Sequence, residues 1–183
     1  MRAPILISLL SMMLYAIPAS AAVTMSHPIS AQWAFTRAGQ HPDRLLESTF
    51  AKARRTLDIA VYSLTDYNIV DAIVAAKKRG VAVRIITDRE ESKYWYEKRE
   101  LEYLAKFGIP IKINTHSGLM HLKESIIDDQ VVTTGSYNYS ESASTKNDEV
   151  LVVLHDPTMA KAWEAAFNAM WNDRSGYEAW YVS

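Results

Sequence analysis

Between residues 32 and 113 the chain alternates short β-rich runs with longer stretches of helical period, and this rhythm restricts the fold more than anything else in the sequence. The runs at 32–36, 56–63, 81–87 and 109–113 are strand-like, and Pro110 places the last at a strand start or edge. Between them, 42–55 reads as a helix with Pro42 in its first turn and Leu45, Leu46, Thr49, Phe50 and Ala53 as its apolar stripe. Thr65-Asp66 caps a second helix, whose Ile69, Ile73 and Ala76 face the core and whose Lys77, Lys78 and Arg79 precede Gly80. A third spans 92–107, with Leu101, Leu104 and Phe107, and ends at Gly108. Strands joined through helices predict an α/β sheet with crossover connections.

The rhythm changes after 113. Two apolar runs, 121–127 and 131–134, are separated only by Asp128-Asp129-Gln130, which predicts a hairpin. A loop or helical turn at 137–143, a strand at 149–154 and an amphipathic helix at 157–171 complete the chain. The expected architecture is a mixed, mostly parallel β-sheet flanked by helices. The sequence has 183 residues, with 49% hydrophobic and 22% charged, and shows no repeat or linker, so 23–183 is expected to form a single domain.

Within this frame, 121–138 carries the pattern H-x-K-x(4)-D-x(6)-G-S-x-N: His121, Lys123, Asp128, Gly135, Ser136 and Asn138. Two residues apart on a strand, an imidazole and an ammonium share a face at a separation of roughly 6–7 Å. That pairs a nucleophile or proton carrier with a cation, as attack on a phosphodiester anion requires. Ser136 and Asn138 follow in a polar turn and can donate hydrogen bonds to phosphate oxygens.

These residues resemble the signature of the phospholipase D superfamily, and the chain is similar to its small, secreted, single-motif endonucleases. The likeness extends to Tyr62-Ser63-Leu64-Thr65, to 76–81 and to 145–149. It implies a phospholipase D-like fold and a reaction in which His121 attacks phosphorus to form a phosphohistidine while a second histidine protonates the leaving oxygen. An imidazole, with a reference pKa of about 6.5, can do either. Lys123 then stabilises the pentacovalent transition state, and Ser136 and Asn138 add donors. The resemblance also places an acid, Glu149, to hydrogen-bond the catalytic histidine. Asp128 has the strand parity opposite to His121 and Lys123 and is read as supporting. Glu124 stands where the family usually has an aliphatic residue, and must reach a cation or solvent.

Other candidates are weaker. His116 and the Tyr94-Trp95-Tyr96 run are possible substrate contacts, and stacking on unpaired bases is one use for such aromatics. Packing in the core or a subunit interface is the simpler reading for at least one of the three. His27, His41 and His155 have no lysine neighbour of the required kind. A formal net charge of −1 gives no overall basic signature, so any nucleic-acid site depends on local charge. No carboxylate cluster suited to two magnesium ions occurs, and neither a metal nor a cofactor is expected.

Residues 1–22 read as a signal peptide: Arg2, an apolar stretch at 5–17, then Ala19-Ser20-Ala21 as the processing site. The protein is therefore expected to be exported, periplasmic or secreted. The absence of cysteine leaves core packing or an oligomer interface as its sources of stability. Because each chain has one H-x-K, a two-histidine reaction needs a two-fold homodimer with one composite site. The expected activity is metal-independent hydrolysis of DNA or RNA with little sequence preference. Phospholipid head-group cleavage is the alternative enzyme reading, and a non-catalytic nucleic-acid-binding module is a third.

Overall fold

A computed structural model describes residues 23–182, so the expected export segment at 1–22 lies outside the described residues. β1 (Ser30–Phe35) forms where a strand was expected, with Ala34 buried and Trp33 and Phe35 on its exposed face. α1 (Pro42–Phe50) starts on Pro42, whose missing N–H leaves no helical bond unmade, and buries Leu46, Thr49 and Phe50. It stops at Phe50 rather than at 55, and the reason lies far along the chain. The Asp128 carboxylate accepts the N–H groups of Arg54, Arg55 and Thr56 at 2.8, 2.7 and 2.8 Å, which draws those residues out of helical geometry and into β2 (Thr56–Val61).

α2 (Tyr67–Lys78) is capped by Asp66, which accepts the Asn68 N–H at 3.0 Å. β3 (Ala82–Thr87) follows. The single helix expected at 92–107 is divided: a 3-10 turn at Glu91–Lys93, Tyr94 in extended conformation, then α3 (Trp95–Lys106). Asp88 forces the division, since its carboxylate accepts the Glu90 and Glu91 N–H groups and bends the chain into a tight turn. β4 (Ile111–Asn114), β5 (Lys123–Ile127) and β6 (Val131–Gly135) come next. The β5–β6 hairpin forms as expected; Asp128 and Asp129 both take positive φ, 56° and 57°, which suits hairpin twist and which aspartate tolerates. α4 (Glu141–Thr145), β7 (Val150–His155), α5 (Pro157–Asn172) and β8 (Tyr177–Ala179) complete the described chain.

All eight strands join one sheet in the order β1-β7-β6-β5-β2-β3-β4-β8. It is mixed and flanked by helices, as expected, but parallel pairing is the minority. Only β2–β3 and β3–β4 are parallel, and the other five pairings are antiparallel. The crossover helices α2 and α3 account for the two parallel pairings; the hairpin and the returning strands supply the rest. Alternation along each strand feeds two cores. Leu57, Ile59 and Ile85 pack with α1, α2 and α3, while Ala60, Ile86, Ile126 and Val132 pack with Ala160 and Phe167 of α5. Among the described residues no helix is long and apolar enough to cross a membrane.

The register decides where the site can form. Val61 pairs with Lys123 and Gly135 with Leu151, so β2 and β6 end, and β5 and β7 begin, at one edge of the layer. Tyr62, His121, Ser136 and Glu149 therefore emerge together. Gly135 is required there: at φ 140° a Cβ would lie 2.0 Å from the Val150 carbonyl oxygen, so only glycine lets β6 and β7 approach.

Candidate active site

His121 immediately precedes Leu122 and β5, and its approach is held at two points. The Met120 N–H donates to the buried Asp88 carboxylate at 2.9 Å, and the Tyr62 N–H donates to the Leu122 carbonyl at 2.8 Å. The His121 ring lies on the Tyr62 ring at 4.6 Å between centroids. Lys123, which opens β5, is buried; its Nζ donates to the His121 carbonyl at 2.8 Å and stands 4.9 Å over the same Tyr62 ring. The strand expected from 121 begins only at Lys123, so the two groups are brought together not by strand parity but by one phenol that supports both.

Burial holds the Lys123 ammonium below the usual lysine range, against the pull of the Glu149 and Glu91 carboxylates. The Tyr62 phenol is pushed up to about 12 by burial and by its hydrogen bond to Glu91, so it remains a neutral donor. An anion arriving here would meet a partly desolvated cation that forms no ion pair among the described residues.

The polar turn after β6 divides its labour. Ser136 is exposed, and its Oγ accepts the Val150 N–H at 3.2 Å while its own N–H donates to the Val150 carbonyl at 3.1 Å. These bonds tie β6 to β7, the ordinary work of a turn serine. Asn138 differs: its Oδ1 is buried without a hydrogen-bond partner. Tyr137 and Tyr139 on either side are fully buried, with hydroxyls bonded to Ser144 and Ser125 at 2.6 Å each. The backbone around Asn138 is clamped, and the buried Oδ1 is an acceptor left without a donor, which is costly unless one reaches it; only Nδ2 of the same amide could donate to a phosphate oxygen.

Glu149 reaches the site but not by the expected bond. Its carboxylate accepts Asn147 Nδ2 at 3.1 Å rather than a His121 nitrogen, and it acts on Lys123 through charge. With Ser136 and Arg37 it lines a cavity of about 180 Å³. Asp128 lies at the opposite end of β5, in the bonds to Arg54, Arg55 and Thr56, and those N–H groups, outweighing burial, hold its carboxyl below the usual range. Its role is structural. The ring of His116 packs edge-on against Tyr177, near Gly176, so its contacts are with the C-terminal segment rather than with Tyr62. Tyr94, Trp95 and Tyr96 are 61, 59 and 58% exposed, so none packs in the core. Glu124 is half-buried with no ion pair among the described residues, and burial pushes its carboxyl up to about 7.

Several positioning residues had no role in the sequence reading. Tyr62 is one. Glu97 is another: fully buried, it accepts the Leu64 N–H at 3.0 Å and the Thr87 hydroxyl, fixing the loop after β2, and burial pushes its carboxyl up to about 7. Asn114 accepts the Arg89 N–H at 2.9 Å and donates to the Gly118 carbonyl at 3.1 Å, which spans the loop leading to His121. A helical count could have found Glu97, because it shares a face with Leu101 and Leu104.

The family described as "Cardiolipin synthase, PLD-like domain" matches residues 46–171. Among curated relatives, mitochondrial cardiolipin hydrolase of Chlamydomonas reinhardtii is 32% identical over 120 residues, which are 66% of this chain and 53% of that protein. Phospholipase D of Rickettsia prowazekii is 35% identical over 112 residues, 61% of this chain and 54% of the other. The chain thus spans about half the length of these relatives. Two solved structures match almost throughout. Nuc from Salmonella typhimurium, a phospholipase D family member, superposes with a TM-score of 0.78 at 31% identity over 85% of this chain and 100% of its own. NucT from Helicobacter pylori superposes at 0.73 and 27% identity over 81 and 98%. The matched span includes both ends of the His121–Asn138 motif, and the chain belongs to the phospholipase D superfamily, in the branch of Nuc and NucT.

Proposed function

We propose that this protein is an exported phosphodiesterase that cleaves DNA or RNA with little sequence preference, through a phosphohistidine on His121. The observation that carries the chemistry is the shared seat on Tyr62: the His121 imidazole and the Lys123 ammonium rest on one ring, at 4.6 and 4.9 Å, on the open end of the sheet. Neutral His121 attacks phosphorus and the bond to the leaving oxygen breaks; a second imidazole gives that oxygen a proton. Water then attacks the phosphohistidine, losing its proton to the second imidazole and freeing His121. Lys123 and the Asn138 Nδ2 donate to the non-bridging oxygens as charge accumulates. The nucleic-acid reading draws on the likeness to single-motif endonucleases and on the near-complete superposition with Nuc and NucT.

The second imidazole comes from a second copy. Every other described histidine is occupied elsewhere: His27 with Asp156, His41 near Asp43 at 4.0 Å, His116 on Tyr177, and His155 at the far end of β7. Exposed Leu119 and Leu122 flank His121, an apolar collar that a two-fold partner would cover. The partner subunit's His121 then faces this one across a single phosphate.

The names of the relatives give lipid cleavage a definite claim as the second reading, since cardiolipin hydrolase and phospholipase D are both among them. The purified protein, incubated with plasmid DNA, RNA and cardiolipin or phosphatidylcholine vesicles, each with and without EDTA, separates the two. Nucleic-acid cleavage that persists in EDTA is expected, because histidine and lysine supply the chemistry. Chelator-sensitive activity restored by magnesium would refute the mechanism, and lipid turnover with nucleic acid untouched would replace the substrate.

A further inference from the structure

His121 belongs to a closed circuit of contacts that starts at the buried Asp88. One oxygen of the Asp88 carboxylate accepts the Met120 N–H at 2.9 Å, and the other accepts the N–H groups of Glu90 and Glu91 at 2.9 and 3.3 Å. A single carboxylate thus ties the segment that carries His121 to the turn that carries Glu91. On the other side of His121 the Leu122 carbonyl accepts the Tyr62 N–H at 2.8 Å, and the Tyr62 hydroxyl donates to the Glu91 carboxylate. From Asp88 through Met120, His121, Leu122, Tyr62 and Glu91 the path returns to Asp88 without a gap. The turn itself is stiff: buried Ser92 donates its N–H to the Asp88 carbonyl at 3.0 Å and its hydroxyl to the Arg89 carbonyl at 2.8 Å. The Glu91 backbone is therefore fixed within reach of the phenol.

Three acids stand near the catalytic pair, and two are already committed. Glu149, the acid expected to support the histidine, is bonded to Asn147 and reaches Lys123 through charge alone. Both oxygens of Asp88 are taken by backbone N–H groups. Glu91 is left, and its bond is to the one side chain on which both His121 and Lys123 rest. Two effects follow from that bond. It fixes the orientation of the phenol, and with it the surface that seats the imidazole. It also polarises the phenol, because a hydroxyl that donates to a carboxylate leaves more negative charge on its ring. The ring face is where the Lys123 ammonium stands, 4.9 Å from the centroid, and a richer face holds a cation more firmly.

We propose that Glu91 is the positioning residue of this site: through the Tyr62 hydroxyl it holds the ring under His121 and Lys123, and so does the supporting work expected of Glu149. The inference rests on the phosphodiesterase reading above. Without the bond the phenol tilts, and the imidazole loses its line to phosphorus while the groups that bind the substrate stay in place. Glu91→Ala and Tyr62→Phe break the bond from its two ends, and Glu91→Gln leaves a neutral acceptor in place of the carboxylate. Turnover of a small chromogenic phosphodiester, bis(p-nitrophenyl) phosphate, is measured in each and in the double variant of Tyr62→Phe with Glu91→Ala. The His121 ring protons are followed in parallel by NMR, assigned by their absence from the His121→Ala chain. The ring current of Tyr62 displaces them from the free-histidine position, and Tyr62→Leu marks the complete loss of that displacement.

In Glu91→Ala and in Tyr62→Phe kcat falls on the order of tenfold while KM stays within about twofold of the parent. The double variant falls no further than the weaker of the two singles, as residues that act through one bond must. Glu91→Gln recovers to within about threefold of the parent, because an acceptor for the phenol remains. The His121 signals move toward the Tyr62→Leu position in both single variants and return in Glu91→Gln. Parental kcat in Glu91→Ala, a loss confined to KM, losses that multiply in the double variant, or His121 signals unmoved by both single variants would overturn the proposal. A parent that turns over neither the chromogenic diester nor nucleic acid would refute the phosphodiesterase reading instead, while the NMR arm still decides whether Glu91 holds the seat.

Discussion

At the scale of single residues the site depends on two groups with separable tasks. In the proposed reaction His121→Ala would remove nucleophile and proton carrier together, and turnover is expected to fall on the order of 10⁴-fold or more. Lys123→Ala removes a cation used chiefly as charge builds on phosphorus, and kcat falls about 10²–10³-fold. Both should retain the parental Tm within a few degrees, because His121 is exposed and the Lys123 ammonium, held below its usual range by burial, is costly to the folded state. Turnover by His121→Ala within tenfold of the parent would remove it from the nucleophile's role. The sequence made this pair legible through the H-x-K spacing, although the strand expected from 121 begins only at Lys123 and it is the Tyr62 ring, not strand parity, that holds the two groups together. It did not reveal Tyr62, which comes to them only through the β2–β5 register. Nor did it reveal that Glu149 bonds to Asn147, since a side-chain rotamer near a strand end has no signature in spacing.

The elements were read well where period alone decides them and less well where a distant carboxylate intervenes. α2 and α5 carry regular stripes and caps, and they form where the pattern puts them. α1 is cut short by Asp128 and α3 is entered late because of Asp88, both through side chains that bind backbone N–H groups of a turn. Strand direction was the other loss: a hairpin and two returning strands outweigh two crossovers only once the strand order is known. Glu97 tests how one buried acid supports an element junction. Its folded pKa of about 7 lies above the unfolded value of 4.5. The protonated form is therefore favoured by folding, and the stability it confers is complete below pH 4.5 and is lost as pH rises through 7. Glu97→Gln, which keeps the shape and cannot ionise, should remove that loss. Urea unfolding at pH 5 and pH 8 should show the variant gaining about 2.5 kcal/mol on the parent between the two, and equal pH slopes would show that Glu97 stays charged in its pocket.

For the whole molecule the governing fact is a count: one H-x-K in a chain whose other described histidines are committed away from Tyr62. If the reaction needs two imidazoles on one phosphate, the assembly follows from chemistry, and the sheet edge bearing His121 must also be the subunit interface. Mixing tests this without a structure of the complex. Parent and His121→Ala chains, unfolded together in equal amounts and refolded, should combine at random. The mixed dimers then hold one imidazole and are severely impaired, leaving about a quarter of the parental activity, carried by parent homodimers. Light scattering on the parent should give twice the mass of one chain. Half the parental activity in the mixture, or full activity in a monomer, would mean that a single chain assembles a complete site, and the second proton carrier would have to be sought among residues already on the Tyr62 side.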